Sequence, residues 1–88
     1  MVELKQLEYF VACAQAGSFS KAAELLFTTQ PSVSKVIKSM ENQMQVTLFK
    51  RTAKGIRLTE EGELVYGHAE EILQNMKALE HISTSVLK

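Results

Sequence analysis

The chain has 88 residues, of which ten are basic and ten are acidic, so its formal net charge at pH 7 is zero. A chain of this length forms one domain at most and buries only about 60–65% of its unfolded surface, which favours association with a partner. The single cysteine, Cys13, excludes a disulfide framework within the chain and favours a reducing compartment. No apolar run approaches the ~20 residues of a membrane span and the N-terminus lacks a secretory core, so we expect a cytoplasmic protein without a membrane partner.

The neutral total conceals a segregation of charge along the chain. Residues 30–57 contain six basic residues and one acid, Glu41, for a local charge of +5, whereas residues 58–88 contain six glutamates and two lysines, for a local charge of −4. The basic segment attracts phosphate and the acidic segment is repelled by it. This segregation favours a nucleic-acid partner despite the neutral total.

The first predicted helix ends near Gly17, a residue suited to the left-handed turn that follows a helix. One of its sides carries Leu4, Leu7, Phe10, Val11 and Ala14. Its other side is also largely apolar and carries Tyr9, Ala12, Cys13 and Ala16. A helix that is apolar on both sides is covered on both sides. We expect a pair of short helices to cover one side and a long final helix to cover the other.

Residues 20–44 are predicted to form two short helices joined by a tight turn. Ser18 and Ser20 can each accept hydrogen bonds from free amides at a helix start, and Ser20, ahead of Lys21, is the predicted N-cap of the first helix. Thr29 is the predicted N-cap of the second helix, with Pro31 in its first turn, where the missing amide hydrogen costs little.

The second of these helices has one apolar and one polar face. The apolar face consists of Val33, Val36, Ile37, Met40 and Met44. The polar face consists of Pro31, Ser34, Lys35, Lys38 and Asn42, with Gln30 at the helix start. Lysine and glutamine side chains suit base edges in the DNA major groove, and short hydroxyls suit phosphates. A solvated helix surface is the alternative, because charged outer faces are the rule.

Two strand-like runs, residues 48–52 and 55–59, predict a hairpin in which Gly55 supplies a positive φ. Its basic residues are Lys50, Arg51, Lys54 and Arg57. Because an isolated hairpin is marginally stable in water, it is expected to pack on the helices through Leu48, Phe49, Ile56 and Leu58. A basic hairpin beside a basic helix can straddle a DNA backbone, and a plain connecting loop is the alternative.

A final helix is predicted from Glu60 to about Val86, capped by Thr59. Gly62 and Gly67 disfavour a helix and indicate that another backbone comes close. Heptad spacing predicts a coiled-coil seam for pairing with a second copy, and the seam consists of Val65, Ala69, Ile72, Met76, Leu79, Ser83 and Val86. A seam packed within one protomer is the alternative.

The segments LKQLEYFVACAQAGSFSKAAELLFTTQPSVSKVIKSME, LFKR and GIRLTEEG follow one another over residues 4–62. In this order they resemble the N-terminal DNA-binding region of LysR-type transcriptional regulators. The resemblance implies a mainly α fold: a winged helix-turn-helix of three helices and a two-stranded wing over residues 1–58, followed by a long dimerisation helix over residues 59–88. It also implies a homodimer that binds an interrupted palindrome in double-stranded DNA, and a tetramer is possible for the full-length regulator.

Carried over by position, the resemblance places DNA contacts on the helix-turn-helix and the wing. The candidate DNA-binding residues are Ser18, Ser20, Thr29, Gln30, Pro31, Ser32, Ser34, Lys35, Lys38, Arg51, Lys54 and Arg57. Lys35 stands where the family often has arginine, so a point charge replaces a planar fork. Phe27 and Thr28 occupy a turn that in the family more often carries a small or polar residue and then an apolar one.

The family senses a small-molecule co-inducer through a separate C-terminal domain. This chain resembles a DNA-binding piece of such a regulator, so we expect no cofactor in it and a co-inducer for the full-length protein.

Two other classes of protein fit the residues less well. A dimerising adaptor that binds a protein needs no cluster of six cations on helix and hairpin. An enzyme needs a catalytic constellation, yet Cys13 lies in an apolar run, and His68 and His81 lie on flank and outer positions of the heptad helix. The sequence shows no carboxylate pair, glycine-rich phosphate loop or metal-ligand spacing, so neither enzymatic activity nor a metal site is predicted.

Overall fold

The computed structural model describes the backbone of residues 1–86 and the side chains of residues 1–82. The elements in chain order are α1 (Leu4–Ala16), α2 (Phe19–Leu25), α3 (Gln30–Met44), β1 (Phe49–Thr52), β2 (Gly55–Leu58) and α4 (Glu60–Val86). Three helices, a two-stranded antiparallel wing and a long final helix confirm the predicted fold class. The division into domains at residue 58 stays a prediction. Within the described part, none of the helices combines the length and apolarity that crossing a bilayer requires.

The core lies where α1, α3, the hairpin and the first half of α4 meet. Phe10, Val33, Met40 and Leu48 have no exposed surface. The Phe10 ring centroid lies 5.3 Å from that of Phe49 on β1. Burying each of these large apolar side chains stabilises the fold by about 1.5–3 kcal/mol. Helix α1 contacts α2 and α3 as well as α4, as its two apolar sides predicted.

The start of α2 corrects one sequence prediction. Ser18, not Ser20, is the N-cap, because the Ser18 hydroxyl accepts a hydrogen bond from the Lys21 amide at 3.2 Å. Gly17 ends α1 in the left-handed conformation at φ 70°, and the Phe19 ring packs against Phe49 with centroids 5.9 Å apart. Drawing Phe19 inward starts the helix two residues earlier than predicted, and Ser20 is left exposed within it.

Helix α3 has the predicted bounds. The Thr29 hydroxyl accepts from the Ser32 amide at 3.4 Å, and Pro31 stands in the first turn. The helix ends at Met44 because Gln45 adopts the left-handed conformation at φ 58°.

The wing is held against the turn between α1 and α2. Its register pairs Lys50 with Arg57 and Arg51 with Ile56. The Ile56 amide donates to the Gly17 carbonyl at 3.0 Å. A Cβ atom at Gly55 would collide with that same carbonyl, and Gly55 has a φ of 140°. The hairpin therefore packs on the helices through buried Phe49 and Ile56, as predicted.

Helix α4 begins at a close contact with the residue before β1. The Thr59 hydroxyl accepts from the Gly62 amide at 2.9 Å, which confirms Thr59 as the N-cap. A Cβ atom at Gly62 would collide with the Leu48 carbonyl oxygen, whereas one at Gly67 would meet nothing within 4 Å. The close backbone approach predicted at both glycines is therefore found at Gly62, and at Gly67 no such approach is found within the described protomer.

Substituting the two glycines should have opposite effects on stability. Gly62→Ala should lower the free energy of unfolding by about 1–3 kcal/mol, because the new methyl group forces α4 away from Leu48. Gly67→Ala should raise it by about 0.5–1 kcal/mol, because alanine favours the helix and the position is open. Urea denaturation followed by circular dichroism measures both, and equal effects would contradict the packing at Gly62.

Candidate nucleic-acid interface

The polar face of α3 points away from the core. Val33, Ile37 and Met40 are buried on the opposite face and fix the rotation of the helix about its axis. The predicted contact residues of this segment are all accessible: Ser34 is half-buried, and Thr29, Gln30, Pro31, Ser32, Lys35 and Lys38 are exposed. Helix α3 thus presents two cations, an amide and several hydroxyls on one free surface.

Two cations of the wing, Lys50 and Arg51, lie beside Lys38 of α3. Arg51, Lys54 and Arg57 are exposed, and so is Lys50, which was not among the predicted contact residues. A cleft between α3 and β1 is lined by Ser34, Lys38, Glu41, Lys50 and Arg51 together with apolar residues beneath them. We call this surface the basic cleft. It places cations of the helix and of the hairpin on one surface.

Phe19 orients one of these cations. The Arg51 guanidinium carbon lies 5.8 Å from the centroid of the Phe19 ring, which is within the range of a cation–π interaction. Such a contact restricts the arginine side chain before it meets a ligand. No local sequence pattern predicts this contact, because Phe19 and Arg51 are far apart in the chain.

The two serines at the start of α2 differ in role. The Ser18 hydroxyl is engaged in capping, and its Cα lies 3.9 Å from the position of a Cβ on Gly55, next to the wing. Ser20 is exposed and makes no cap.

Phe27, in the turn between α2 and α3, has an exposed ring and an unfavourable backbone conformation. Its side chain is 97% exposed, and its φ of 55° lies in the left-handed region that a bulky residue rarely adopts. Its amide still donates to the Glu24 carbonyl at 3.2 Å, which closes the turn. The backbone shape of the helix-turn-helix is therefore achieved against the preference of this residue.

The predicted seam of α4 divides into two parts. In the first part, Ala69 is buried in the protomer's own core and Val65, one turn before it, is half-buried. In the second part, Ile72 is 43% and Leu79 62% exposed, Met76 between them is half-buried, and Ile82 on the same helix is 58% exposed. The side chains of Ser83 and Val86 lie outside the described residues. Only the far part of the seam leaves large apolar side chains free for another chain.

Cys13, His68 and His81, which were considered as catalytic residues, do not form a common site. Burial raises the pKa of the Cys13 thiol to about 12, which keeps it protonated at neutral pH. His68 and His81 are exposed on α4. Among the residues that the structure describes, no cluster of histidine, cysteine or acidic side chains is arranged to hold a metal ion.

A helix-turn-helix with an exposed basic second helix, followed by a basic hairpin, is the architecture of a winged helix-turn-helix DNA-binding domain. Residues 4–63 match the family described as "Bacterial regulatory helix-turn-helix protein, lysR family". The chain therefore belongs to the lysR family, and the resemblance seen in its sequence is confirmed.

Curated relatives of the chain are transcriptional regulators. An uncharacterised HTH-type regulator of Azotobacter vinelandii is 47% identical over 72 residues, which are 82% of this chain and 50% of the relative. TfdT of Cupriavidus pinatubonensis is 39% identical over 72 residues, 82% of this chain and 32% of TfdT. AlsR of Bacillus subtilis is 41% identical over 75 residues, 85% of this chain and 25% of AlsR. The chain thus spans half or less of the length of these relatives.

Solved structures of two DNA complexes share the fold. The DNA-binding domain of BenM bound to benA site 1 DNA superposes with a TM-score of 0.93 at 31% identity, covering 99% of this chain and 98% of that one. The DNA-binding domain of CbnR in complex with DNA gives a TM-score of 0.89 at 31% identity, covering 99% of this chain and 100% of that one.

Replacing Phe27 should relieve the strain in the turn. Phe27→Asn should raise the free energy of unfolding by about 1 kcal/mol, because asparagine tolerates a positive φ and the exposed ring loses little packing. Leu25→Asn, at an exposed position with helical geometry, serves as the control and should give no such gain. Urea denaturation of the two variants compares them, and a loss of stability in Phe27→Asn would contradict the strain.

Proposed function

We propose that this chain is the DNA-binding module of a transcriptional regulator and reads double-stranded DNA through α3. The observation that carries the proposal is the exposure of Lys35 and Lys38 on the outer face of α3, together with the basic cleft, in which Lys38 lies beside Lys50 and Arg51 of the wing. In this arrangement α3 enters the major groove and the wing follows the adjacent backbone or minor groove. The DNA complexes of the similar BenM and CbnR domains support it.

The two kinds of contact have different tasks in this proposal. Lys38, Arg51, Lys54 and Arg57 neutralise phosphates and supply most of the affinity, which falls as salt is added. Gln30, Pro31, Ser34 and Lys35 at the leading end of α3 face base edges and supply sequence choice. Thr29, Ser32 and the serines of α2 lie near phosphates. The chain itself has no enzymatic activity in this proposal.

Pairing of two copies through α4 completes the proposal. A helix of 27 residues is about 40 Å long, comparable with the ~34 Å between half-sites one turn apart on DNA. The exposed apolar side chains of Leu79 and Ile82 lie on the part of α4 that extends past the core, and Ile72 lies at the edge of the core near Met40 and Ala69. A homodimer would then bind an interrupted palindrome. For the full-length regulator we propose cytoplasmic location, a co-inducer, and dimers that can associate further into tetramers.

Salt dependence separates the two kinds of contact. Lys38→Ala and Arg57→Ala should weaken binding to every duplex and reduce the slope of log affinity against log salt by about 0.9 each. Gln30→Ala should leave that slope unchanged and reduce the preference for a selected duplex over a scrambled one by about 1–3 kcal/mol. Fluorescence anisotropy with both duplexes at several salt concentrations measures these quantities.

Lys77→Ala is the matched control for charge, because Lys77 is exposed on α4, outside the basic cleft. It should change neither affinity nor slope. Affinity that is indifferent to salt in the unaltered chain would contradict the proposed function itself.

Charge placed in the far part of the seam should prevent pairing. Ile72→Glu should give monomers, because two carboxylates would be brought into an apolar contact between copies. Gln74→Glu places the same charge on another face of α4 and should leave the dimer intact. Sedimentation velocity measures the mass of each variant, and an Ile72→Glu variant that remains a dimer would show that the interface lies elsewhere.

A further inference from the structure

The backbone of Leu48 connects three elements through hydrogen bonds. Its amide donates to the Glu41 carboxylate of α3 at 2.7 Å, and the next amide, that of Phe49, donates to the same oxygen at 3.4 Å. The Leu48 carbonyl accepts from the Thr59 amide at 3.0 Å and from the Thr59 hydroxyl at 3.3 Å. Its side chain is fully buried. One residue therefore connects α3, the start of the wing and the start of α4.

The position of Glu41 has disadvantages that demand a compensating role. Glu41 is the one acid among six cations in residues 30–57, and it lines the basic cleft beside Lys38 and Arg51. A carboxylate there repels an approaching phosphate. It also lies in the last turn of α3, where a negative charge opposes the helix dipole. Neither helix stability nor ligand attraction explains an acid at this position.

We propose that Glu41 is a positioning residue for DNA binding. Its carboxylate holds the first residues of the wing at a fixed distance from α3, so that Lys38 and the wing arginines reach phosphates of one duplex together. Because the Leu48 carbonyl is hydrogen-bonded to Thr59, the same contacts also orient the start of α4 relative to α3 and the wing. The inference rests on the proposed DNA-binding function and assigns to it a residue that need not touch DNA.

Two substitutions distinguish a positioning role of Glu41 from a purely electrostatic effect of its negative charge. Glu41→Gln and Glu41→Ala remove the same negative charge, but glutamine keeps an oxygen that can accept from the Leu48 amide. Simple electrostatics predicts that both variants bind DNA more tightly than the unaltered chain. Positioning predicts that Glu41→Ala binds about tenfold more weakly than Glu41→Gln, and with a smaller salt slope, because the wing cations no longer act with α3.

The probe is a fluorescein-labelled duplex recovered from a randomised library with the unaltered 88-residue chain. Anisotropy is recorded below the melting temperature of every variant, as established by circular dichroism. Should Glu41→Ala not fold, Glu41→Asp replaces it, since aspartate keeps the charge and withdraws the carboxylate from Leu48. Weaker binding by Glu41→Asp than by the unaltered chain then supports positioning, and equal binding overturns it.

A double-mutant cycle excludes a merely stabilising role. Arg57→Ala should weaken binding strongly in the unaltered chain and only slightly in the Glu41→Ala background, because a displaced wing already contributes little to DNA binding. A full Arg57→Ala effect in both backgrounds, or equal affinities of the alanine and glutamine variants, would overturn the inference alone. Failure of the unaltered chain to recover any duplex would overturn the DNA-binding function and the inference with it.

Discussion

The burial of one face of α3 is the constraint on which the rest of the structure depends. Val33, Ile37 and Met40 are buried in the core, where α3 packs on α1 and α2, and this sets the rotation of the helix. Since successive residues of a helix are separated by about 100°, anchoring those three side chains turns Lys35 and Lys38 outward. The hairpin adds Lys50 and Arg51 beside Lys38, and it is held in place by Phe49 and Ile56 in the same core. The chemistry of the surface follows from the packing beneath it.

Helix α4 serves two purposes in succession along its length. Its first turns complete the core through Ala69, and the Tyr66 ring centroid lies 6.3 Å from that of Phe10. Tyr66 also accepts from Gln15 at 3.2 Å, which connects α1 to α4, and it donates to Glu70 within α4 at 3.0 Å. Past the core, the same helix exposes Leu79 and Ile82. A single element can thus stabilise the small domain and extend from it.

Local signals predicted most of the fold, and contacts between distant residues account for the differences. Thr29 and Gln45 determine the bounds of α3 by neighbouring hydrogen bonds, so a cap and a change of period sufficed to predict them. The start of α2 depends on Phe19 meeting Phe49, which no local pattern reveals. The hydrogen bond between the Glu41 carboxylate and the Leu48 amide could not be predicted from a local pattern either. A single acid among six cations did indicate that Glu41 has a role other than attracting phosphate. The predicted site residues on α3 and the wing are exposed or half-buried, and their contacts with DNA remain predictions.

The separation of positive and negative charge along the chain also makes the molecule an electric dipole. Residues 30–57 and 58–88 carry +5 and −4, and the whole is 49 Å in its longest dimension. Near a polyanion such a body experiences a torque that turns its positive end forward before any atoms touch. At physiological ionic strength screening confines this effect to roughly 8 Å, so the torque aligns the protein only in the final approach. Molecules that arrive misaligned are reoriented at the surface instead of having to diffuse away.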